Sequence, residues 1–190
     1  MTQSLHKMGG DNVVTNTEAI QFTDGSFQTT AAAPLNVNAT YVYASGSQNM
    51  PTADEGQASS LILSFDTDED SNASPGFPSM YSSDTPTVLT APTQGYYIVM
   101  AGFSVTAQYT VAGAQIAAQL FKNPIAGGEA ECFAQQSSTA DSTINQSFNI
   151  SQIIAMDAGD QVYINVYQSC GGTVPVLGGT STFLSMALLT

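Results

Sequence analysis

From Thr40 to Thr190, apolar side chains recur at every second position in short runs separated by turn residues. That period of two belongs to strands with one face on a core, and no long stretch has the 3.6-residue spacing of an amphipathic helix. The runs are "TYVYA" (40–44), "SLILSF" (60–65), "TVLTAP" (87–92), "GYYIVMAGFSVTAQ" (95–108), "AQIAAQLFKN" (114–123), "GEAECFAQQ" (128–136), "TINQSFNISQIIA" (143–155), "GDQVYINVYQ" (159–168) and "TSTFLSMALLT" (180–190). Many short strands with turns at regular intervals predict an all-β sandwich or barrel.

Alternation assigns faces. In the 95–108 run, Tyr97, Val99, Ala101, Phe103 and Val105 share one face, with Ile98 and Met100 on the other. In the 159–168 run, Val162, Ile164 and Val166 oppose Tyr163, Asn165 and Tyr167. The closing run is apolar on both sides: Phe183, Ala187 and Leu189 against Leu184, Met186 and Leu188. A strand of that kind is covered on both faces, which its own sandwich cannot do alone. An oligomer is expected.

The chain of 190 residues is 43% hydrophobic, enough to bury a sizeable core. Its charge excludes two classes of partner. Fifteen acidic residues face two lysines, one histidine and no arginine, for a net charge of −13. Phosphate contacts need Lys or Arg, so no nucleic acid is expected. An anionic membrane would repel the chain, and no run approaches the roughly 18 apolar residues of a span. The beginning, "MTQSLHKMGGDN", lacks the apolar core of a secretory signal, so synthesis and assembly in a cytoplasm are expected.

Residues 1–39 read as an N-terminal arm, and residues 40–190 as the folded domain. The arm's apolar side chains are sparse, and it holds His6 and Lys7, the sole histidine and one of the two lysines. Such a segment is ordered by a partner or stays disordered. Within it, "AIQFTDGSFQTT" predicts a hairpin turning at Asp24-Gly25, with Phe22 opposite Phe27 and Ile20 opposite Thr29. A lone hairpin is marginal in water, so the face formed by Ile20, Phe22 and Phe27 is expected to pack on another chain.

Little points to catalysis. A Ser or Cys nucleophile needs a base, and His6 lies in the arm. Glu129 and Glu131 share a strand face, which reads as a solvated edge rather than a glycosidase pair. "VLGGTS" and "IAGGEAE" are turns without the Lys and helix of a phosphate loop. The Asp66-x-Asp68-Glu69-Asp70 cluster could hold calcium through oxygen ligands, but Ser71 stands where an EF-hand has glycine and the closing Glu is missing. A solvated acidic loop is the simpler reading. Cys132 and Cys170 have no CxxC spacing and no paired His, so zinc is not expected; free buried thiols fit cytoplasmic synthesis, with a cross-strand disulfide as the alternative. No catalytic, cofactor or metal residues are assigned.

Four of these runs, in this order, resemble the complement-globular-head and tumour-necrosis-factor-like family. "GYYIVMAGFSV" is similar to its G-x-Y-x-F strand, "LFKN" to its strand ending in Lys-Asn, "MDAGDQVYINVYQ" to its Gly-Asp turn and following strand, and "TFLSMALL" to its closing strand. Ser185 stands where that closing strand usually has glycine, and the first strand has Tyr97-x-Val99. The likeness covers residues 85–190. It implies a jelly-roll sandwich of about ten strands, assembled as a homotrimer with first and last strands adjacent. By position, it also implies that Ile98, Met100 and Phe183 point towards the three-fold axis.

The segment "IQFTDGSFQTTAAAP" resembles the I-x-F-x-D-G-T-x-Q-T-T-A segments of tail-fibre and virion surface proteins of bacterial viruses, where they precede a trimeric head; Ser26 replaces the usual Thr, and Phe27 fills a usually polar slot. Together the two resemblances imply a capsid decoration (cement) protein on the outer surface of a bacteriophage virion. Its arm, through His6, Lys7, Ile20, Phe22 and Phe27, would clasp the major capsid protein or reach a neighbouring decoration trimer. The rival is a receptor- or glycan-binding knob of a short head or tail fibre; a glycan hydrolase is the remaining class. A fibre tip normally follows a long repetitive shaft, and the short arm favours cement.

Overall fold

A computed structural model describes residues 4–8, 11–15, 20–21, 27–28, 38–52, 58–69, 78–106, 114–123, 129–139 and 145–189. Every regular element among them is a strand. The chain divides into two compact units, Met1–Asn36 and Val37–Thr190.

The first unit holds β1 (Ser4–Met8), β2 (Asp11–Thr15), β3 (Ile20–Gln21) and β4 (Phe27–Gln28), paired in that order as one antiparallel sheet. β1 and β2 were not anticipated. They pair from Ser4↔Thr15 to Met8↔Asp11, and the Gly9-Gly10 dipeptide between them is itself a two-residue hairpin signal. His6 and Lys7 therefore lie on a strand, opposite Val13 and Asn12, rather than in an irregular arm. The expected register of the next hairpin is also corrected. Ile20 pairs with Gln28 and Gln21 with Phe27, a slip of one residue from the two-residue turn at Asp24-Gly25. Five residues, 22–26, separate the paired positions, and an odd connection shifts the register by one. Phe22 and the Asp24-Gly25 turn lie outside the described residues.

The second unit contains β5 (Ala39–Ala44), β6 (Gln48–Met50), β7 (Ser59–Ile62), β8 (Thr67–Asp68), β9 (Leu89–Thr90), β10 (Gly95–Val105), β11 (Gln115–Asn123), β12 (Glu131–Thr139), β13 (Gln146–Met156), β14 (Gln161–Gln168), β15 (Val174–Val176) and β16 (Gly179–Leu189). These twelve strands exceed the roughly ten expected because two-residue segments such as β8 and β9 pair at the sheet margins. One sheet runs β8-β5-β16-β10, with β13 along the other side of β10 and β15-β6 joining where Val105 pairs with Val176. The other runs β12-β11-β14-β7, with β9 also on β14. All pairings are antiparallel. The first long strand of this unit, β5, lies beside the last, β16.

Between the sheets lies one core. The alternate residues Tyr97, Val99, Ala101, Phe103 and Val105 of β10 are buried, as are Val162, Ile164 and Val166 of β14. Leu120 and Ile116 of β11 join them, with Leu184 and Met186 of β16. Each such large side chain contributes about 1.5–3 kcal/mol on leaving water. Phe103 and Phe148 pair across β10 and β13 with parallel rings, centroids 4.8 Å apart. The buried Gln168 amide is matched: it donates to Pro51 O and Gly172 O and accepts from Cys170 N.

Candidate functional site: an apolar outer sheet face

Alternation that buries one side of β10 and β16 turns the other side outward. Registers Ile98↔Ala187, Met100↔Ser185 and Gly102↔Phe183 align these side chains in rows. β5 adds Tyr41 opposite Ser185 and Tyr43 opposite Phe183. β13 adds Ile153 opposite Ile98. The three residues assigned to an axial contact, Ile98, Met100 and Phe183, thus share one face, and it is the face turned away from the core. Phe183, Ile98 and Ala187 are half-buried, whereas Met100 and Ile153 are 43% and 56% exposed.

The doubly apolar last strand resolves in the same way. Leu184 and Met186 enter the core, while Phe183, Ala187 and Leu189 line the outer face.

The face is built rather than merely bare. Phe183 stacks on Tyr41 with centroids 5.5 Å apart and planes 22° off parallel. Tyr41 donates its hydroxyl to Thr180 O at 3.2 Å, which fixes the ring. Partial burial, then the nearby Glu69 and Tyr43, hold the Tyr41 hydroxyl above its ordinary pKa. It therefore stays a neutral donor at physiological pH. Between Tyr41, Ile98, Met100 and Ala187 opens a shallow apolar cavity of about 220 Å³. Tyr41 and Tyr43 were not singled out from the sequence. The alternation of "TYVYA" around the buried Val42 carried the signal.

A second, polar constellation was also missed. The "LFKN" and "DAGD" stretches meet: Nζ of Lys122 stands 2.7 Å from Oδ2 of Asp160, whose side chain is nearly fully buried, and donates to Ala155 O at 2.9 Å. Asp160 in turn accepts from Asp157 N, closing a turn in which Gly159 has φ +91°. Turn and strand are tied together by one buried ion pair.

The remaining candidates stay apart. Glu129 and Glu131 are exposed at the margin of the sheet, Glu131 opening its edge strand β12. Asp66 ties the start of β8 to the bend after β5, accepting from Ser45 N at 2.6 Å and Ser45 Oγ at 2.5 Å. Those bonds, the hydroxyl first, hold its carboxyl below the usual pKa. Asp70 lies outside the described residues, and among those described no three His, Cys, Asp or Glu side chains cluster as metal ligands. Both cysteines are free thiols; Cys170 is buried, which raises its pKa, but Cys132 is exposed, contrary to the expectation that both are buried. Cys132 sits on β12, which ends its sheet among the described residues.

No family model matches the chain, and no curated protein does. Among solved structures, Eiger TNF from S. frugiperda superposes with a TM-score of 0.61 at 15% identity, covering 82% of this chain and 94% of that one. Murine APRIL superposes at 0.55 in its pH 8.0 crystal and 0.54 at pH 5.0, each at 10% identity over 80% of this chain and 99% of that one. The second unit is a tumour-necrosis-factor-like jelly roll.

Proposed function

We propose that the chain is a non-enzymatic structural protein that assembles as a homotrimer through the outer face of β5, β16 and β10. It acts as a capsid decoration protein on a bacterial virus. One observation carries the assembly: Ile98, Met100 and Phe183, separated by up to 85 positions in sequence (183 − 98), lie on one continuous apolar face outside the core. Monomers rarely leave such a patch uncovered. The sandwich is the jelly roll that the resemblance called for, and that resemblance expects these residues at the axis. The virion context rests on the "IQFTDGSFQTTAAAP" segment in the first unit. Three copies of that unit would attach a trimer to its shell at high effective concentration, so weak individual contacts would suffice.

Native mass measurement is expected to give three chains; a stable monomer at micromolar concentration would remove the reading's foundation. Deleting residues 1–36 is expected to leave a folded trimer that no longer co-sediments with assembled shells. Unchanged decoration by that truncated chain would reject the first unit as the anchor. Recovery of the protein on separated tails rather than heads would favour the fibre knob.

A further inference from the structure

At the end of the sandwich where β10 begins and β13 finishes, an open cavity of about 330 Å³ is lined by Gln94, Tyr96, Lys122, Met156 and Asp157. We propose that it binds a neutral saccharide. Tyr96 is 64% exposed, the most exposed large hydrophobic side chain described in the second unit. Its ring offers a flat apolar platform with a polar tip, suited to a sugar that is apolar on one face and hydroxylated at its rim.

Around the ring stand groups with hydrogen-bonding capacity to spare. Gln94 Nε2 donates to Asp157 Oδ1 at 2.9 Å, which orients both side chains and leaves the amide oxygen and the second carboxylate oxygen for a ligand. Lys122 uses two of its three ammonium donors on Asp160 and Ala155 O and keeps one. Acceptors and donors side by side match hydroxyl groups, each of which does both. An anion fits poorly: Asp160 already neutralises Lys122, Asp157 adds negative charge, and the chain carries −13. The volume lies at the small end of ligand pockets, the size of one or two sugar rings. This site uses none of Ile98, Met100 or Phe183, but Tyr96 precedes Ile98 on the outward row of β10 and pairs with Leu189, so the site borders the proposed assembly face.

The test is saturation-transfer NMR on the full chain with the methyl glycosides of glucose, galactose and N-acetylglucosamine, and of glucuronic acid as the charged comparison. Saturation of ring protons is expected for at least one neutral glycoside. It should be lost in Tyr96→Ala, retained in Tyr96→Phe, and strongly reduced in Gln94→Ala and Asp157→Ala. Because these side chains are exposed, the variants should keep the wild-type thermal midpoint and native mass. No transfer to any neutral glycoside, equal transfer in Tyr96→Ala, or stronger binding of the glucuronide would each overturn the proposal.

Discussion

The ring of Phe183 occupies the space that a side chain at position 102 would fill. A Cβ on Gly102 would stand 2.6 Å from Cε1 of Phe183, and also 2.7 Å from Oδ1 of Asn149 and 3.2 Å from the carbonyl oxygen of Phe148. A glycine in mid-strand weakens a sheet, and here a cross-strand aromatic covers the bare backbone. Gly102→Ala should push Phe183 off Tyr41 and destabilise the fold by about 1–3 kcal/mol, as overpacking does. Adding Phe183→Ala should return part of that loss. Urea denaturation of the two single variants and the double measures the coupling; strictly additive losses would show that the ring is not what the new methyl meets.

The outer face predicts how the assembly responds to charge and salt. Met100→Asp would place a carboxylate in the proposed three-fold contact, where desolvation is costly, so native mass should shift from three chains towards one. Wild-type assembly should strengthen as salt rises, because every copy carries −13 and screening relieves that repulsion. Sedimentation at low and high ionic strength checks this. Assembly weakened by salt would mean that ion pairs, not apolar contacts, join the copies.

Lys122 and Asp160 give a prediction about the monomer fold. Lys122→Met leaves a buried carboxylate without its cation and should cost about 3–5 kcal/mol. Lys122→Met with Asp160→Asn should recover much of that, since the amide oxygen can still accept from Asp157 N. Chemical denaturation midpoints decide it. A double variant as unstable as Lys122→Met would show that the ammonium matters for its bond to Ala155 O instead.

These residues also mark how much of the structure is legible in the sequence. Period-two alternation placed the core of β10 and β14 residue by residue, because a pleated strand with one wet face leaves no other solution. It also put Met100 outside that core. The Lys122–Asp160 pair was invisible because its members lie 38 positions apart (160 − 122), and nothing local tells a lysine which turn it will reach. In the first unit the error had a local cause. Asp24-Gly25 is a strong two-residue turn signal, yet the pairing of Gln21 with Phe27 spans five residues, and a slip of one exchanges every partner. Strand existence is encoded in neighbours, whereas register depends on a count that one extra loop residue changes.

Asp66 supplies a pH dependence whose sign follows from its bonds. Ser45 donates hydroxyl and backbone N–H to its carboxylate, lowering the folded-state pKa. A depressed carboxyl binds its proton less readily when folded than when unfolded. Its contribution to stability is therefore complete above the unfolded pKa of about 3.9 and is lost as pH falls through the lower folded value. Above about pH 5, wild type should exceed Asp66→Asn in stability by a constant margin, and that margin should shrink below about pH 4. Ser45→Ala should remove most of the pH-dependent part, since the hydroxyl is the first cause of the shift. Urea midpoints of the three proteins between about pH 7 and pH 2.5 measure it, with the other carboxylates common to all cancelling in the difference. A margin that stays constant to the lowest pH would show that the Asp66 carboxylate is held no more tightly in the folded chain than in the unfolded one.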